Sequence, residues 1–410
     1  MARPTRPARG SAAIAVVHLP DAPAPVAYQA QVASSALTGQ ASLRIGEDGL
    51  DVDGLFQPVF IDFADIVELG RADYVVGVRT TSDQFTFSGL GNQCDGFYMT
   101  LMGAFNAKVR RALFVQGQPA FQGDGDIRYR EGAVEVQGHG LVEVYDDCVV
   151  LLPPNDQARR VPLVFANDMR PEPFGAAIKL DGGDWYEVTR LGRDADAFDA
   201  TIKAKLAGLR QKSVEAVRAL DASLSQQQLS TIAAKMPPGA AVPLGELAGV
   251  APSYVTALEQ RVADSRAAAT YTEFKTVCDP DRICVGLKDG LAGSDDPGVL
   301  WFIAPSSSKP VAAVEWAVDE GESAATFFYN IVGDETDFVR RLNRAIEAVE
   351  FHREVVSLPA EELGRPSNNY YAMAVRRTQA LQFMRDNLAG RVIHNSPDAW
   401  SAGMRALMVG

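Results

Sequence analysis

One pattern is written three times along this chain: an aromatic strand, a glycine turn, then a helix that opens on phenylalanine and repeats its apolar residues every four positions. The first copy runs Phe85, Phe87, Leu90, Gly91, then Phe97, Leu101, Phe105. The second runs Trp185, Val188, Leu191, Gly192, then Phe198, Ile202, Leu206. The third runs Phe327, Tyr329, Ile331, Gly333, then Phe338, Leu342, Ile346. Leu90 to Leu191 and Phe97 to Phe198 share one offset of 101 residues, the signature of a duplicated unit. A strand needs period two and a helix period 3.6, so each copy specifies both elements and the turn between them.

The chain is long enough, at 410 residues and 47% hydrophobic content, for two to four domains with separate cores. Its net charge of -13 argues against general affinity for nucleic-acid phosphates or anionic lipid. The four cysteines, Cys94, Cys148, Cys278 and Cys284, point to a reducing, cytoplasmic compartment. No run of about 18 apolar residues suggests a membrane span. Residues 1–24, with Arg3, Arg6 and Arg9, read as a disordered arm.

Residues 25–114 alternate short strands with turns before one amphipathic helix. Strands are predicted at Val26–Val32, Ala41–Ile45, Leu50–Asp53, Pro58–Asp62, Ile66–Leu69, Tyr74–Thr80 and Gln84–Ser88. The helix is predicted over Asp95–Leu113, with Lys108, Arg110 and Arg111 complementing its C-terminal dipole. Residues 115–212 repeat this layout.

The order resembles tandem pleckstrin-homology-like (PH-like) domains, seven-stranded bent barrels capped by a C-terminal helix. It is carried by Leu43-Arg44-Ile45, Ile61 to Ile66, Phe85-Thr86-Phe87 and the Phe97 helix, and again by Val142 to Val144, Leu163 to Met169, Trp185 to Val188 and the Phe198 helix. The resemblance implies an α+β fold of repeated small barrels. Many such domains hold inositol phosphates on basic strand-joining loops. Here those turns are Gly46-Glu47-Asp48 and Tyr145-Asp146-Asp147, whose charge repels a phosphoinositide headgroup.

Residues 213–268 read as a helical connector. A hairpin is predicted from strands Tyr271–Cys278 and Ile283–Leu287 around Asp279-Pro280-Asp281. With the preceding helices, Ser225 to Lys288 resembles a winged-helix domain, although Glu259, Gln260, Arg261 and Asp264 make a mixed face, unsuited to DNA. The 270–288 hairpin alternatively completes a third PH-like or partial barrel over 269–352, and the latter is preferred because only three strands otherwise precede its helix. Cys278 and Cys284 then either face one another across the hairpin or remain two free thiols, the expected state. Residues 353–410 read as a helical tail, with an apolar stripe of Tyr370, Tyr371, Met373, Leu381 and Met384.

Signatures of chemistry are missing from the sequence. Gly89-Leu90-Gly91-Asn92 lacks the Lys and Ser or Thr of a phosphate loop. His18, His139, His352 and His394 are scattered, and Asp146-Asp147 and Asp295-Asp296 fall in turns. No catalytic, cofactor-binding or metal-binding residue is assigned, and no cofactor is expected. The expectation is a non-enzymatic scaffold that binds a protein partner through PH-like domains, on strand edges or the tail helices. The alternative is a barrel holding a lipid or small apolar ligand with peripheral membrane association. Nucleic acid and membrane are not expected partners; oligomeric state stays open.

Overall fold

A computed structural model describes residues 27–55, 57–265, 267–288, 299–316, 325–349 and 353–410. The N-terminal arm, His18, His352 and Asp295-Asp296 lie outside them. The first unit contains β1 (Ala27–Ala33), β2 (Thr38–Ile45), β3 (Gly49–Gly54), β4 (Pro58–Asp62), β5 (Ile66–Ala72), β6 (Val75–Thr80), β7 (Gln84–Ser88) and α1 (Cys94–Ala112). Alternation of exposed and buried side chains along β1 shows the period-two pattern at work. The strands form one antiparallel sheet in the order β4-β3-β2-β1-β7-β6-β5. Phe97 of α1 is wholly buried against Tyr28 and Phe87, ring centroids 5.0 and 5.9 Å away.

The second unit repeats the arrangement with β8 (Phe121–Glu131), β9 (Val134–Val144), β10 (Cys148–Leu152), β11 (Arg159–Pro162), β12 (Ala166–Glu172), β13 (Gly175–Leu180), β14 (Trp185–Thr189) and α2 (Ala195–Leu220). Its sheet order, β11-β10-β9-β8-β14-β13-β12, is the first one translated along the chain. Even the bulge is repeated: register shifts between Ile66 and Glu68 on β5 and between Ala166 and Asp168 on β12. The turn glycines of all three copies need positive φ, at 56° for Gly91, 59° for Gly192 and 78° for Gly333, which a side chain would strain.

The two units are joined through backbone. Leu69 N–H donates to the Pro154 carbonyl at 2.7 Å, and Asp156 N–H donates to the Val67 carbonyl at 3.1 Å. The segment between β10 and β11 thereby lies along the outer edge of β5, with Glu68 opposite Asn155.

The rest of the chain holds α3 (Gln226–Lys235), β15 (Ala241–Pro243), α4 (Leu244–Ala248), α5 (Pro252–Ala263), α6 (Ala268–Phe274), β16 (Cys284–Lys288), β17 (Val299–Pro305), β18 (Val311–Trp316), β19 (Ala325–Asn330) and α7 (Glu335–Val349). After these come α8 (Glu354–Ser357), α9 (Ala360–Leu363), α10 (Asn369–Arg377), α11 (Gln379–Asn387), β20 (Leu388–Ile393) and α12 (Pro397–Met408). Ser225 and Gln228 close a reciprocal capping box that starts α3. The strands make an antiparallel sheet in the order β15-β16-β17-β18-β19-β20.

This corrects the 270–288 hairpin. Tyr271–Phe274 belongs to a helix, in which Tyr271 and Phe274 share one face and both meet Phe302, while Cys278, past the helix end, bridges to Ser306. The strand at Cys284–Lys288 is real, but its partners are β15 and β17. Nor is the tail wholly helical, since β20 completes the sheet beside β19. Helices α10 and α11 of that tail are separated at Thr378, whose backbone is extended (φ -117°, ψ 97°).

Helix α7 ties this sheet to its surroundings. The Asn343 amide accepts from Ala241 N–H at 2.9 Å and donates to the Ala241 carbonyl at 2.8 Å. It satisfies the outward backbone groups of edge strand β15, and Pro243, two positions on, has no N–H to offer. Glu347 holds Arg160 of β11 through two bonds of 2.6 and 2.7 Å. Arg344 reaches Asp181 of the second unit at 2.7 Å.

Candidate functional site

The expected docking surfaces fare differently. In the tail, Met373, Leu381 and Met384 are buried, α10 against α1 and α11 against α7, so that stripe is intramolecular packing. Tyr370 and Tyr371 stack on each other 4.0 Å apart, with Arg111 over the first ring. The β5 edge is occupied by the segment at Asn155, and the β15 edge is sealed by Asn343.

The counterpart of β5 in the second unit is β12, the terminal strand of its sheet. Matching bulges set Asn167 in the place of Val67 and Met169 in that of Leu69. In β5 these positions turn a carbonyl and an N–H outward to Asp156 and Pro154. In β12 neither Asn167 O nor Met169 N has a backbone partner outside its sheet among the described residues, and Asn167 is exposed where Val67 is half-buried.

A cleft of about 780 Å³ opens at the start of this strand. One wall is capping helix α2, through Leu206 and Leu209; the other is α3, through Ala233, and α7, through Val339. Its rim carries mixed charge. Lys235 pairs with Glu246 at 2.9 Å, and the Arg282 Nε donates to Glu335 at 3.0 Å. The arrangement suits an extended, partly apolar chain better than a uniformly charged ligand.

The acidic turns are answered from within. Lys108 of α1 bonds Asp48, Arg111 bonds Glu47 at 2.6 Å, and Lys205 of α2 bonds Asp146 at 2.6 Å. Asp147 is not a freely solvated turn residue: Arg160 Nη2 donates to it at 2.8 Å. Burial pushes the Asp147 carboxyl up, but the Arg160 charge and a hydrogen bond from Cys148 outweigh it and hold it below the ordinary aspartate value.

His139 lies between Asp126 and Asp124, each 2.9 Å away; the hydrogen bond to Asp126 is the leading cause of its raised pKa. His394 meets Glu315 at 3.2 Å and Thr326 at 3.0 Å, and Trp400 donates to the same threonine oxygen at 2.8 Å. Thr326 is wholly buried, so this group offers no accessible nucleophile. All four cysteines are buried free thiols, and burial pushes Cys278 up to about 12, far from a reactive thiolate. No group of metal-ligating side chains occurs among the described residues. Nor is any helix among them long and apolar enough to cross a membrane. No protein-family model matches the chain, and no curated protein matches it.

Proposed function

We infer that the chain is a non-catalytic interaction protein whose two seven-stranded units are PH-like barrels, and that it binds an extended segment of a protein partner along β12. Strand order, repeated bulge and capping helix support the barrel reading. The occupied β5 edge carries the functional one. There the molecule already accepts an extended tripeptide by backbone hydrogen bonds, while the matching edge stands open beside an apolar cleft. Backbone pairing supplies affinity at such an edge, and the cleft wall selects side chains.

The test is to recover the partner with the tagged 410-residue chain, then map amide exchange in the purified complex. Binding should slow exchange of the Met169 amide. Met169→Pro, which deletes that N–H on a strand already tolerating Pro171, and Leu209→Glu in the cleft wall should each abolish capture. A partner that leaves Met169 exchange unchanged and still binds both folded variants would sink the reading.

A further inference from the structure

A second cleft, about 410 Å³, lies between β11 and the β8–β9 turn on one side and α7 with the α10–α11 junction on the other. Six arginines line it against three carboxylates, an excess of cations in a chain of net charge -13. Four are matched within the protein. Arg159 bonds Glu131 at 2.8 Å, Arg160 bonds Glu347, Arg344 bonds Asp181, and Arg340 bonds Asp337.

Two have no carboxylate hydrogen-bonded to them among the described residues. Arg377 is 1% exposed, yet its Nε and Nη1 have no hydrogen-bond partner; only Nη2 reaches a neutral acceptor, the Ile66 carbonyl at 3.3 Å. Phe105 covers one face of its guanidinium, with the charge 5.8 Å from the ring centroid. Burial, and then the neighbouring Arg376 charge, push its pKa down to about 10, so it stays protonated near neutrality; the Asp156 charge opposes this shift but makes no hydrogen bond to it. Arg341 is exposed at the cleft mouth and stacks over Phe383 at 4.1 Å; its charge acts on Asp337, whose hydrogen bond goes to Arg340.

Beside Arg377 the chain turns into α11. The Thr378 hydroxyl oxygen is buried without a partner, and the first N–H groups of the nine-residue helix, from Gln379 and Ala380, have no carbonyl one turn earlier to bond. Both residues line the cleft. Water can satisfy donors, but it cannot neutralise a buried cation. Unmatched guanidinium donors, a hydroxyl and a helix N-terminus together form the donor set that oxyanions take.

We propose that this cleft is a binding site for the phosphate group of a small soluble ligand, held by Arg377, Thr378 and the N-terminus of α11 and closed by Arg341. The site is a different cleft from the one beside β12, although Arg340 lines both, and its wall residue Arg160 also bonds Asp147 of the second acidic turn. Its volume exceeds what inorganic phosphate needs and falls within the roughly 300–1,000 Å³ of small-molecule sites, which favours a phosphate ester.

The probes are inorganic phosphate and glycerol 3-phosphate, titrated calorimetrically into the full chain with chloride at matched ionic strength as reference. Saturable one-site binding of at least one probe is expected, with a rise in melting temperature that chloride does not reproduce. Arg377→Met should weaken binding about tenfold or more while leaving the melting temperature in phosphate-free buffer unchanged or raised, because an unpaired buried charge is removed. Should that variant not fold, exposed Arg341→Ala is the second probe and should weaken binding several-fold. Absence of binding by both phosphates overturns the proposal. So does an Arg377→Met chain that melts lower but binds phosphate as before, since Arg377 would then be a structural residue only.

Discussion

The ion pair between β11 and α7 permits an asymmetric test. Side chains of Arg160 and Glu347 are 5% and 2% exposed, while Asp147, the second partner of Arg160, is 37% exposed. Arg160→Met strands Glu347 in a dry site, and breaking a buried pair in this way costs about 3–5 kcal/mol. Glu347→Met leaves Arg160 still bonded to Asp147, so the loss is of charged hydrogen bonds alone, about 1.5–3 kcal/mol. In Arg160→Met/Glu347→Met no buried charge is left, and Asp147 turns to water. The double variant should lie within about 1 kcal/mol of the parent. The assay is urea unfolding followed by amide exchange on β11 and α7, which isolates these elements in a chain too large for one two-state transition. Glu347→Met as damaging as Arg160→Met, or single effects that simply add in the double variant, would refute the reasoning. Acid adds a check. Because the folded Asp147 pKa is depressed, its contribution is full above the unfolded value of about 3.9 and vanishes as pH falls through the folded value. Arg160→Met should flatten that acid limb.

Asn343→Leu removes both bonds to Ala241 and should destabilise the third sheet by about 1–3 kcal/mol. It also uncovers β15, so concentration-dependent association in sedimentation is expected; a variant of native stability that stays monodisperse would contradict the sealing role. For His139 the raised folded pKa means that its contribution is present below the unfolded value of about 6.5 and lost as pH rises through the folded value. Proton NMR titration should place its midpoint above that of a model imidazole, and Asp126→Asn should lower it; an unmoved midpoint would remove Asp126 as the cause.

Where a segment buries one face through a regular period, the sequence showed it. All seven strands of the first unit, the Phe97 and Phe198 helices and the glycine turns needed only local pattern, turn chemistry and the requirement for positive φ. Short or mixed segments were not legible. Three residues of β15 cannot display a period, and β20 follows directly on the end of α11, so each is a strand only because a neighbour pairs with it. Tyr271–Cys278 combines β-branched threonines and valine with apolar residues at helical spacing, and tertiary burial of Tyr271 and Phe274 against Phe302 decided for a helix up to Phe274. The candidate sites were hidden for a related reason. Nothing local distinguishes Arg377 from Arg376; one is buried because the first unit, including Ile66, folds over it. That β12 is open and β5 filled follows from where Pro154–Asp156 lands.

The filled β5 edge makes the duplication directional. Two identical modules would present two equal acceptors and recruit two ligand chains, or cross-link them. Here the second module plugs the first, so that of the two matching edges β5 is occupied and β12 has no such backbone partner among the described residues. On the proposed reading the tandem would bind its partner one-to-one, and the segment that sets this limit is Pro154 to Asp156, which occupies the β5 edge that would otherwise take a second chain.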